Sequence, residues 1–541
     1  MPSSQWSEVG GRALTRRRFL HLMGAVGGAG AVMNTMTAWG FFATSAQTEP
    51  PRLEGQAQGV KVIVVGAGPG GCPAAYELMN LGYDVTVLEA QSHVGGHVIT
   101  VKNGVRTHEY GGEEQVCNWD PGVWWDAGPS RIPFYHRGVL HYCKELSVPM
   151  IDHKNLDLNG YVFMEGIEGP LNGQRMRLHE LQADMAGYIS ELLAKAADQE
   201  RLDEPYTPDD HDLLVDYLVN WGIISPEDLT YQGSSRRGYA VVPDTRGPGE
   251  VAPPYPFQEL LPFAAATLAS NGGYLSAAAT FDWQTTLMKP AGGVGSLFEG
   301  GFKRALGDRI KLNSPVTEIR QTEDGVRVVY TDGATGQPAE MTADYCVCNA
   351  PPSVLLKMQV DWSSEMREAV QNVPYAMAFR MGAQFKRRFW EEDDWIYGGQ
   401  SFTNIPEIGI LGYPDDNYFA QKGAMLLSYN FGNNAAKISS LSLQDRVNVV
   451  LEHGSKVHPQ MRDEFESAFS VAWHRMPYHL GAWPSFTARV RQQYFPRLQE
   501  PDGRIYLVGE HLSYVNAWLE GAFQSAWVQV EKLHQRVMSG G

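Results

Sequence analysis

Two short apolar runs near each other in the chain are separated by small and helix-forming residues. Residues 62–65 are all valine or isoleucine, and in residues 84–88 apolar side chains alternate with Asp84 and Thr86. Apolar runs of this kind next to glycine are typical of strands, and the stretch between them is long enough for a helix. The pattern therefore predicts a strand, a helix and a second strand over residues 62–88.

A glycine-rich segment joins the first strand to the helix. Gly66 permits a tight turn, Gly68 lets the backbone approach a pyrophosphate, and Gly71 lets helix and strand pack closely. The helix N-terminus then offers free N–H groups to phosphate, and Glu89 ends the second strand, where a carboxylate can bind a ribose. This order predicts a dinucleotide site, the alternative being a glycine-rich turn in another α/β sheet. The predicted phosphate-loop residues are Gly66, Gly68, Pro69, Gly70 and Gly71.

Strand patterns return in two later parts of the chain. Apolar runs bounded by turn residues occur between residues 310 and 348, and residues 504–510 read as a strand that leads towards a helix from Trp518. Three separated pieces of one nucleotide domain imply that other material is inserted between them. The sequence therefore predicts an α/β fold, α+β overall, with a discontinuous Rossmann-like domain.

The inserted material is predicted to be partly helical. Thr207 and Pro208 mark a helix start, with a hydroxyl cap and a proline in the first turn, and Gly222 ends that helix. Residues 241–256 are rich in proline and glycine and are predicted to form a loop. An earlier stretch has apolar residues at helical spacing, namely Leu178, Leu181, Met185, Ile189 and Leu192.

The first 46 residues have a pattern of their own. Residues 15–21 read Thr-Arg-Arg-Arg-Phe-Leu-His, and a weakly apolar, glycine-containing stretch continues to residue 42. This resembles a twin-arginine export signal, with an uncleaved membrane anchor as the alternative. We therefore expect the twin-arginine translocation machinery as a partner, a periplasmic or secreted location, and a linker over residues 47–58.

Composition and charge narrow the class of protein. The chain has 541 residues, 43% of them apolar, which is enough for more than one domain core. Its formal net charge is −17, and residues 1–46 hold four arginines and one glutamate, so the remainder carries about −20. This charge argues against nucleic acid as a partner. The five cysteines form no evident disulfide framework and are expected to be core residues.

Three segments resemble the flavin amine oxidase superfamily, and most closely its L-amino-acid oxidases. They are residues 89–97 after the second strand, the Gly-Pro-Ser-Arg-Ile-Pro segment at 128–133, and the Gly-Glu-His to Glu-Gly-Ala segment at 509–522. The resemblance implies FAD as the cofactor, with no metal. No cysteine follows Cys348, so the thioether flavin link of monoamine oxidases has no donor there and FAD should be non-covalent.

The resemblance also implies how the chain is divided. We predict FAD-binding pieces at residues 59–97, 289–372 and 497–537, substrate-domain pieces with a mixed sheet at 98–174 and 373–496, and a helical insertion at 175–288. The cofactor contacts implied by the phosphate loop and the resemblance are Gly66, Gly68, Pro69, Gly70, Gly71, Glu89, Ala90, Gly96, His97, Gly128, Pro129, Ser130, Arg131, Val316, Trp473, Gly509, Glu510, Ala517 and Trp518.

The substrate class depends mainly on Arg131. In L-amino-acid oxidases the arginine of this segment binds the substrate carboxylate, and Tyr429 falls at the family's second carboxylate contact. A planar guanidinium holds a carboxylate through two parallel hydrogen bonds. The alternatives are that Arg131 is an ordinary surface ion-pair residue and that Tyr429 is a core aromatic residue.

Four aromatic residues fall where the family lines the flavin face and the side-chain pocket: Phe431, Trp473, Trp483 and Trp518. They favour a substrate with a large apolar or aromatic side chain, and the alternative for each is a plain core position. Ala517 replaces the family glycine whose carbonyl receives the substrate amino group.

Two residues depart from the family pattern. His97 replaces an arginine, which puts its flavin contact in doubt, and Arg380 replaces a lysine that holds a water near flavin N5. Reactivity with oxygen is therefore less firmly implied than amino-acid binding. The residues assigned to catalysis are Arg131, Tyr429, Arg380 and Trp518.

Together these features predict oxidative deamination of an L-amino acid by hydride transfer from Cα to flavin N5, with 2-oxo acid, ammonia and H2O2 as products and O2 as acceptor. A homodimer is expected. Three alternatives stay open: a flavin amino-acid 2-monooxygenase that forms an amide and CO2, a polyamine or other amine oxidase with no use for Arg131, and a non-enzymatic flavoprotein that binds amino acids.

Overall fold

The computed structural model describes residues 49–199, 201–202, 207–275, 281–283 and 286–540. The predicted export signal, residues 1–46, lies outside the described residues. Among the helices that are described, none combines the length and apolar character needed to span a membrane.

The strands, in chain order, are β1 (Lys61–Val65), β2 (Asp84–Leu88), β3 (Thr100–Val101), β4 (Arg106–His108), β5 (Glu114–Val116), β6 (Trp125–Asp126), β7 (Ile132–Pro133), β8 (Met150–His153), β9 (Tyr161–Phe163), β10 (Arg175–Arg177), β11 (Tyr239–Val241), β12 (Glu250–Val251), β13 (Leu287–Pro290), β14 (Ile310–Lys311), β15 (Val316–Gln321), β16 (Val326–Thr331), β17 (Pro338–Ala343), β18 (Tyr345–Cys348), β19 (Gln359–Val360), β20 (Ala378–Phe385), β21 (Gln400–Thr403), β22 (Ile410–Gly412), β23 (Gly423–Phe431), β24 (Phe465–Ala472) and β25 (Ile505–Leu507).

The α-helices are α1 (Gly71–Asn80), α2 (Arg137–Glu145), α3 (Leu178–Asp198), α4 (Pro208–Gly222), α5 (Phe257–Leu275), α6 (Lys303–Leu306), α7 (Pro352–Leu355), α8 (Ser364–Gln371), α9 (Phe389–Glu392), α10 (Gly432–Ser439), α11 (Leu443–Gly454), α12 (Met461–Glu464), α13 (Ala488–Leu498) and α14 (Leu519–Met538).

A parallel sheet in the order β14-β2-β1-β18-β25 forms the nucleotide domain. Its strands come from three distant parts of the chain, as the sequence predicted. Strands β1, β18 and β25 are almost entirely buried, in keeping with their apolar composition. Helices α1 and α14 pack on one face, where small residues let them approach closely. The predicted fold class, with its discontinuous domain, is confirmed.

A mixed sheet in the order β10-β9-β21-β22-β23-β20-β24 lies in the other part of the molecule. Most of its pairs are antiparallel, and β9 and β21 run parallel. Strands β20 and β23 are adjacent, and their register places Arg380 opposite Tyr429. The fold therefore brings together two residues that are almost fifty positions apart in the sequence.

In the helical insertion, the sequence-based prediction is confirmed for helix α4 and is partly wrong for helix α3. Thr207 caps α4 as predicted, and its hydroxyl accepts a hydrogen bond from Asp210 N at 3.2 Å. In α3 the predicted apolar face is wrong for Ile189 and Leu192, which are 54% and 53% exposed. Small and polar residues of α3 are buried instead. One of them, Gly187, lies directly against the ring of Tyr231, where a side chain would have no room.

The predicted loop over residues 241–256 is also partly wrong. Strands β11 and β12 form a short antiparallel pair in which Val241, at the start of this stretch, pairs with Glu250 in its middle. Proline and glycine lie between and beside these short strands, and both residues are unfavourable in regular strands, so the sequence pattern did not predict the pair.

Candidate active site

The phosphate loop lies at the carboxyl end of β1, where it turns into α1. Gly66 has a positive φ of +92°, which glycine adopts at little cost. A Cβ atom on Gly71 would lie 1.9 Å from the Gly66 carbonyl oxygen, so the close packing predicted for Gly71 is present. No side chain caps α1 at Gly70, which leaves its first N–H groups directed at the loop.

Glu89 lies at the same edge of the sheet, directly after β2. Its carboxylate accepts hydrogen bonds from Ala67 N at 2.6 Å and Gln91 N at 2.8 Å. Burial raises the pKa of Glu89, and these backbone hydrogen bonds oppose the rise. The carboxylate therefore holds the backbone of the phosphate loop through Ala67. The sequence analysis predicted a ribose contact at this same residue.

Asn349 is a residue of this region that the sequence analysis missed. It follows β18 directly, its backbone N–H donates to Val65 O at 2.8 Å, and its Nδ2 donates to Val508 O at 3.0 Å. Its side chain lies against Gly68 and Gly509, within 3.2 Å of the Cβ position of each. Asn349 thus joins the two glycine segments, and its place at the end of a buried parallel strand was the available signal.

The residues of this edge fit an extended dinucleotide. A Cβ atom on Gly96 would lie 3.2 Å from Gly68 Cα, so two backbone segments meet where side chains have no room. The buried Nε2 atoms of His97 and His511 have no hydrogen-bond partner among the described residues. Free polar atoms beside a glycine-lined groove suit a ligand with several acceptors, and FAD is such a ligand.

A cavity of about 630 Å³ continues from this edge towards the mixed sheet. Thirteen of the residues singled out in the sequence line it: His97, Gly128, Pro129, Ser130, Arg131, Arg380, Tyr429, Phe431, Trp473, Trp483, Glu510, Ala517 and Trp518. The other predicted contacts lie outside this cavity. Val316 is in the separate sheet β17-β16-β15-β19, and the rest lie along the nucleotide sheet: Gly66, Gly68, Pro69, Gly70, Gly71, Glu89, Ala90, Gly96 and Gly509. Val316 begins β15, just after Ser314, whose N–H donates to the Glu89 carbonyl at 2.7 Å.

Arg131 lies in the cavity wall just before β7. Its guanidinium carbon is 3.7 Å from the centre of the Trp283 ring and 6.0 Å from that of Trp518. Stacking on an aromatic face fixes the plane of a guanidinium. Trp283 comes from the helical insertion, which carries no recognisable motif, so sequence reasoning did not identify it.

Arg380 is 7% exposed and lies between two rings. Its guanidinium carbon is 5.3 Å from the Trp125 ring and 4.8 Å from the Tyr429 ring, and Nη1 donates to the Gly128 carbonyl. Gly128 begins the segment that carries Arg131. Arg380 is therefore placed to hold that segment in position, in addition to bringing positive charge to the cavity.

His97 provides no positive charge at this site. Burial and, secondly, the charge of Arg380 lower the pKa of His97 to about 3. Its ring contacts Trp473 edge to face at 3.9 Å between ring centres. The histidine that replaces the family arginine is thus a neutral group at physiological pH.

Ala517 keeps the backbone conformation expected for the glycine that it replaces. Its φ is +63°, and its N–H donates to Glu510 Oε1 at 2.5 Å. Burial raises the pKa of Glu510 to about 8, against this hydrogen bond and the charge of Arg491. The left-handed conformation costs alanine roughly 1–2 kcal/mol, which the surrounding structure offsets.

The start of α14 completes the cavity. Trp518 occupies the N-cap position without a side-chain hydrogen bond, and Leu519 also lines the cavity. The positive end of a long helix dipole is therefore directed at the ligand site, where it would stabilise negative charge on a bound ring system.

Comparison with known proteins agrees with this geometry. The sequence matches the flavin containing amine oxidoreductase family over residues 71–533, and the chain belongs to that family. It is 26% identical to the L-amino-acid oxidase of Vipera ammodytes ammodytes over 471 residues, covering 86% of this chain and 90% of that protein. It is also 26% identical to the L-amino-acid oxidase of Siganus canaliculatus over 477 residues, covering 86% and 83%.

Solved structures of amine oxidases share the fold. Wild-type putrescine oxidase bound to putrescine matches with a TM-score of 0.55 and 18% identity, over 89% of this chain and 99% of that one. Cyclohexylamine oxidase from Brevibacterium oxydans matches with a TM-score of 0.57 and 17% identity, over 88% and 99%. The family assignment by sequence identifies the protein as an oxidoreductase, and its cofactor is FAD.

Proposed function

We propose that this enzyme oxidises L-amino acids at the α-carbon. The observation that carries the proposal is the position of Arg131 in the cavity wall, with its guanidinium stacked on Trp283. A guanidinium held by its face can still offer its edge to a carboxylate through two parallel hydrogen bonds. The relatives named as L-amino-acid oxidases support the same substrate class.

In this proposal the chain binds and orients the substrate. Arg131 and the hydroxyl of Tyr429 hold the carboxylate, and the Ala517 carbonyl accepts a hydrogen bond from the amino group, so that the direction of the Cα–H bond is set. A non-covalently bound FAD would supply the hydride acceptor, with O2 as the final electron acceptor. A protein base is not required when the amine binds in its neutral form.

The side chain of the substrate would lie among aromatic residues. The ring centres of Tyr429 and Phe431 are 4.5 Å apart, and those of Phe431 and Trp483 are 5.5 Å apart. Such a wall suits a large apolar or aromatic side chain, or the methylene chain of a long one.

Product analysis tests the reaction type. With L-amino acids and O2, we expect equal amounts of 2-oxo acid and ammonia when catalase is present, because catalase prevents H2O2 from decarboxylating the 2-oxo acid. A separate assay that traps H2O2 with peroxidase as it forms should show one H2O2 for each O2 consumed. Formation of an amide and CO2 would identify a 2-monooxygenase instead. Turnover of amines alone would identify an amine oxidase, and a flavin that no substrate reduces would leave only amino-acid binding.

We also propose export by the twin-arginine route, on the basis of Arg16 and Arg17 before a weakly apolar stretch. Replacing both by lysine is expected to keep the flavin-loaded protein in the cytoplasm, because this route requires the arginine pair. Activity measured in the cytoplasmic and exported fractions is the check. Unchanged export of the double variant would contradict the route, and lysine substitution of Arg12 serves as the control.

A further inference from the structure

A second cavity of about 640 Å³ adjoins the active-site cavity. Four residues line both cavities and form the boundary between them: Trp124, Pro414, Asp416 and Ala424. The boundary consists of one indole, two small apolar residues and one carboxylate. Asp416 is therefore the charged group of this boundary.

The neighbouring charges are already paired with one another. Asp415 binds Lys289 through a buried ion pair, lies 3.3 Å from His153 Nδ1, and accepts a hydrogen bond from Lys154 N at 2.5 Å. Although burial raises the pKa of Asp415, His153 and Lys289 bring it well below its usual range. The charge of Asp415 is thus neutralised by its partners.

Arg388, on the other side, is paired as well. Its Nε donates to Glu391 Oε1 at 2.7 Å, and its Nη1 donates to the Asn417 carbonyl at 3.0 Å. These contacts fix the guanidinium beside the loop that follows Asp416. They leave Glu391 as its ion-pair partner within the described chain.

Asp416 differs from these groups. Within the described ranges its carboxylate takes part in no ion pair, and its hydrogen bond from Asn417 Nδ2 is long, at 3.4 Å. Burial raises its pKa, with Lys289 and Arg388 opposing the rise. The backbone N–H of Asp416 also donates to the carboxylate. A partly desolvated carboxylate with local donors but no ion-pair partner in the described chain is costly, and a cationic ligand group would offset that cost.

The carboxylate shares its cavity with the proposed carboxylate-binding Arg131. Burial lowers the pKa of His153, Asp415 raises it and the charge of Arg131 lowers it further, so this histidine lies near both charged groups. Trp124 and Tyr413 also line this cavity, and ring faces suit a chain of methylene groups. One ligand can therefore carry an anionic group at Arg131 and a cationic group at Asp416.

We propose that Asp416 binds the cationic end of a long substrate side chain, so that this enzyme prefers amino acids of the lysine and arginine type over apolar ones of equal length. This inference rests on the proposed function for the identity of the reacting end. It adds a second polar contact, at the far end of the side chain, to the aromatic wall described above.

Four compounds separate the two ends of the ligand. L-lysine has both the carboxylate and the distal ammonium, L-norleucine lacks the ammonium, cadaverine lacks the carboxylate, and pentylamine lacks both. The flavin-loaded enzyme is assayed with each compound, and kcat/KM is compared within pairs. The lysine to norleucine ratio reports on Asp416, while the lysine to cadaverine ratio reports on Arg131.

We expect the wild type to favour lysine over norleucine by about tenfold to a hundredfold, and Asp416→Asn to bring that ratio close to one, as for loss of a charged hydrogen bond. Asp416→Glu keeps the charge and should retain most of the preference. Asp152→Asn is the matched control, because Asp152 is exposed on β8 beside His153 and does not line the cavity.

An equal lysine to norleucine ratio in the wild type and in Asp416→Asn would overturn the inference. If Asp416→Asn fails to fold, the wild type decides alone, and norleucine turned over as well as lysine would overturn it. Failure of the proposed function has a different result, namely turnover of cadaverine and pentylamine without the amino acids. In that case the cadaverine to pentylamine ratio measures the contribution of Asp416, and a ratio near one would overturn the inference.

Discussion

Replacing Arg131 by methionine is expected to lower kcat/KM for the best L-amino acid by about a hundredfold to a few thousandfold, because a bidentate charged contact in a partly desolvated site contributes about 3 to 5 kcal/mol. Methionine keeps much of the side-chain volume against Trp283 and removes the charge. Arg131→Lys should recover only part of the loss, since an ammonium group lacks the planar pair of donors.

Arg137 offers a control for the loss of an arginine in the same region. It lies at the start of α2, is exposed, and does not line the cavity. Arg137→Met should leave kcat/KM for amino acids close to the wild-type value. Equal losses in the two variants would indicate a general effect on the fold in place of a lost carboxylate contact.

Replacing Gly71 by alanine is expected to remove most of the bound FAD. The added Cβ would lie 1.9 Å from the Gly66 carbonyl oxygen, which cannot move freely because Gly66 N donates to Leu88 O at 2.8 Å. The phosphate loop and the start of α1 would have to separate, and the N–H groups directed at phosphate would be displaced. Flavin absorbance per protein chain is the measurement.

Gly300→Ala is the matched control, since a Cβ atom there meets nothing within 4 Å. This variant should keep a full complement of flavin, and acid precipitation should release that flavin because we propose that it is not covalently bound. A Gly71→Ala preparation with normal flavin content would contradict the assignment of this loop. Flavin retained by the precipitated control would contradict non-covalent binding.

The nucleotide part of the fold was predictable from sequence for a local reason. Strands β1 and β2, the glycine loop and Glu89 all lie between residues 61 and 89, so the residues that determine the local backbone are close together in the sequence. The later strands were visible as apolar runs, and only their sheet order required the structure. In α3 the apolar spacing gave the wrong buried face. Gly187 is buried there because it has no side chain to clash with Tyr231, whereas Ile189 is exposed.

The site was predictable only in part. Arg131 and Tyr429 were identified through motifs, whereas Trp283, Asn349 and Asp416 occur in segments without one and reach the site through tertiary packing. The charge of His97 depends on its burial and on Arg380, which is distant in the sequence. Neither effect can be predicted from the residues next to His97.

The central claim is that Arg131 selects amino acids by their carboxylate. The most direct measurement is anaerobic stopped-flow reduction of the bound flavin by the best L-amino acid and by the corresponding decarboxylated amine, in the wild type and in Arg131→Met. We predict that the wild type is reduced about a hundredfold or more faster by the amino acid, and that this advantage largely disappears in the variant. A variant reduced by the amino acid at nearly the wild-type second-order rate would contradict the claim.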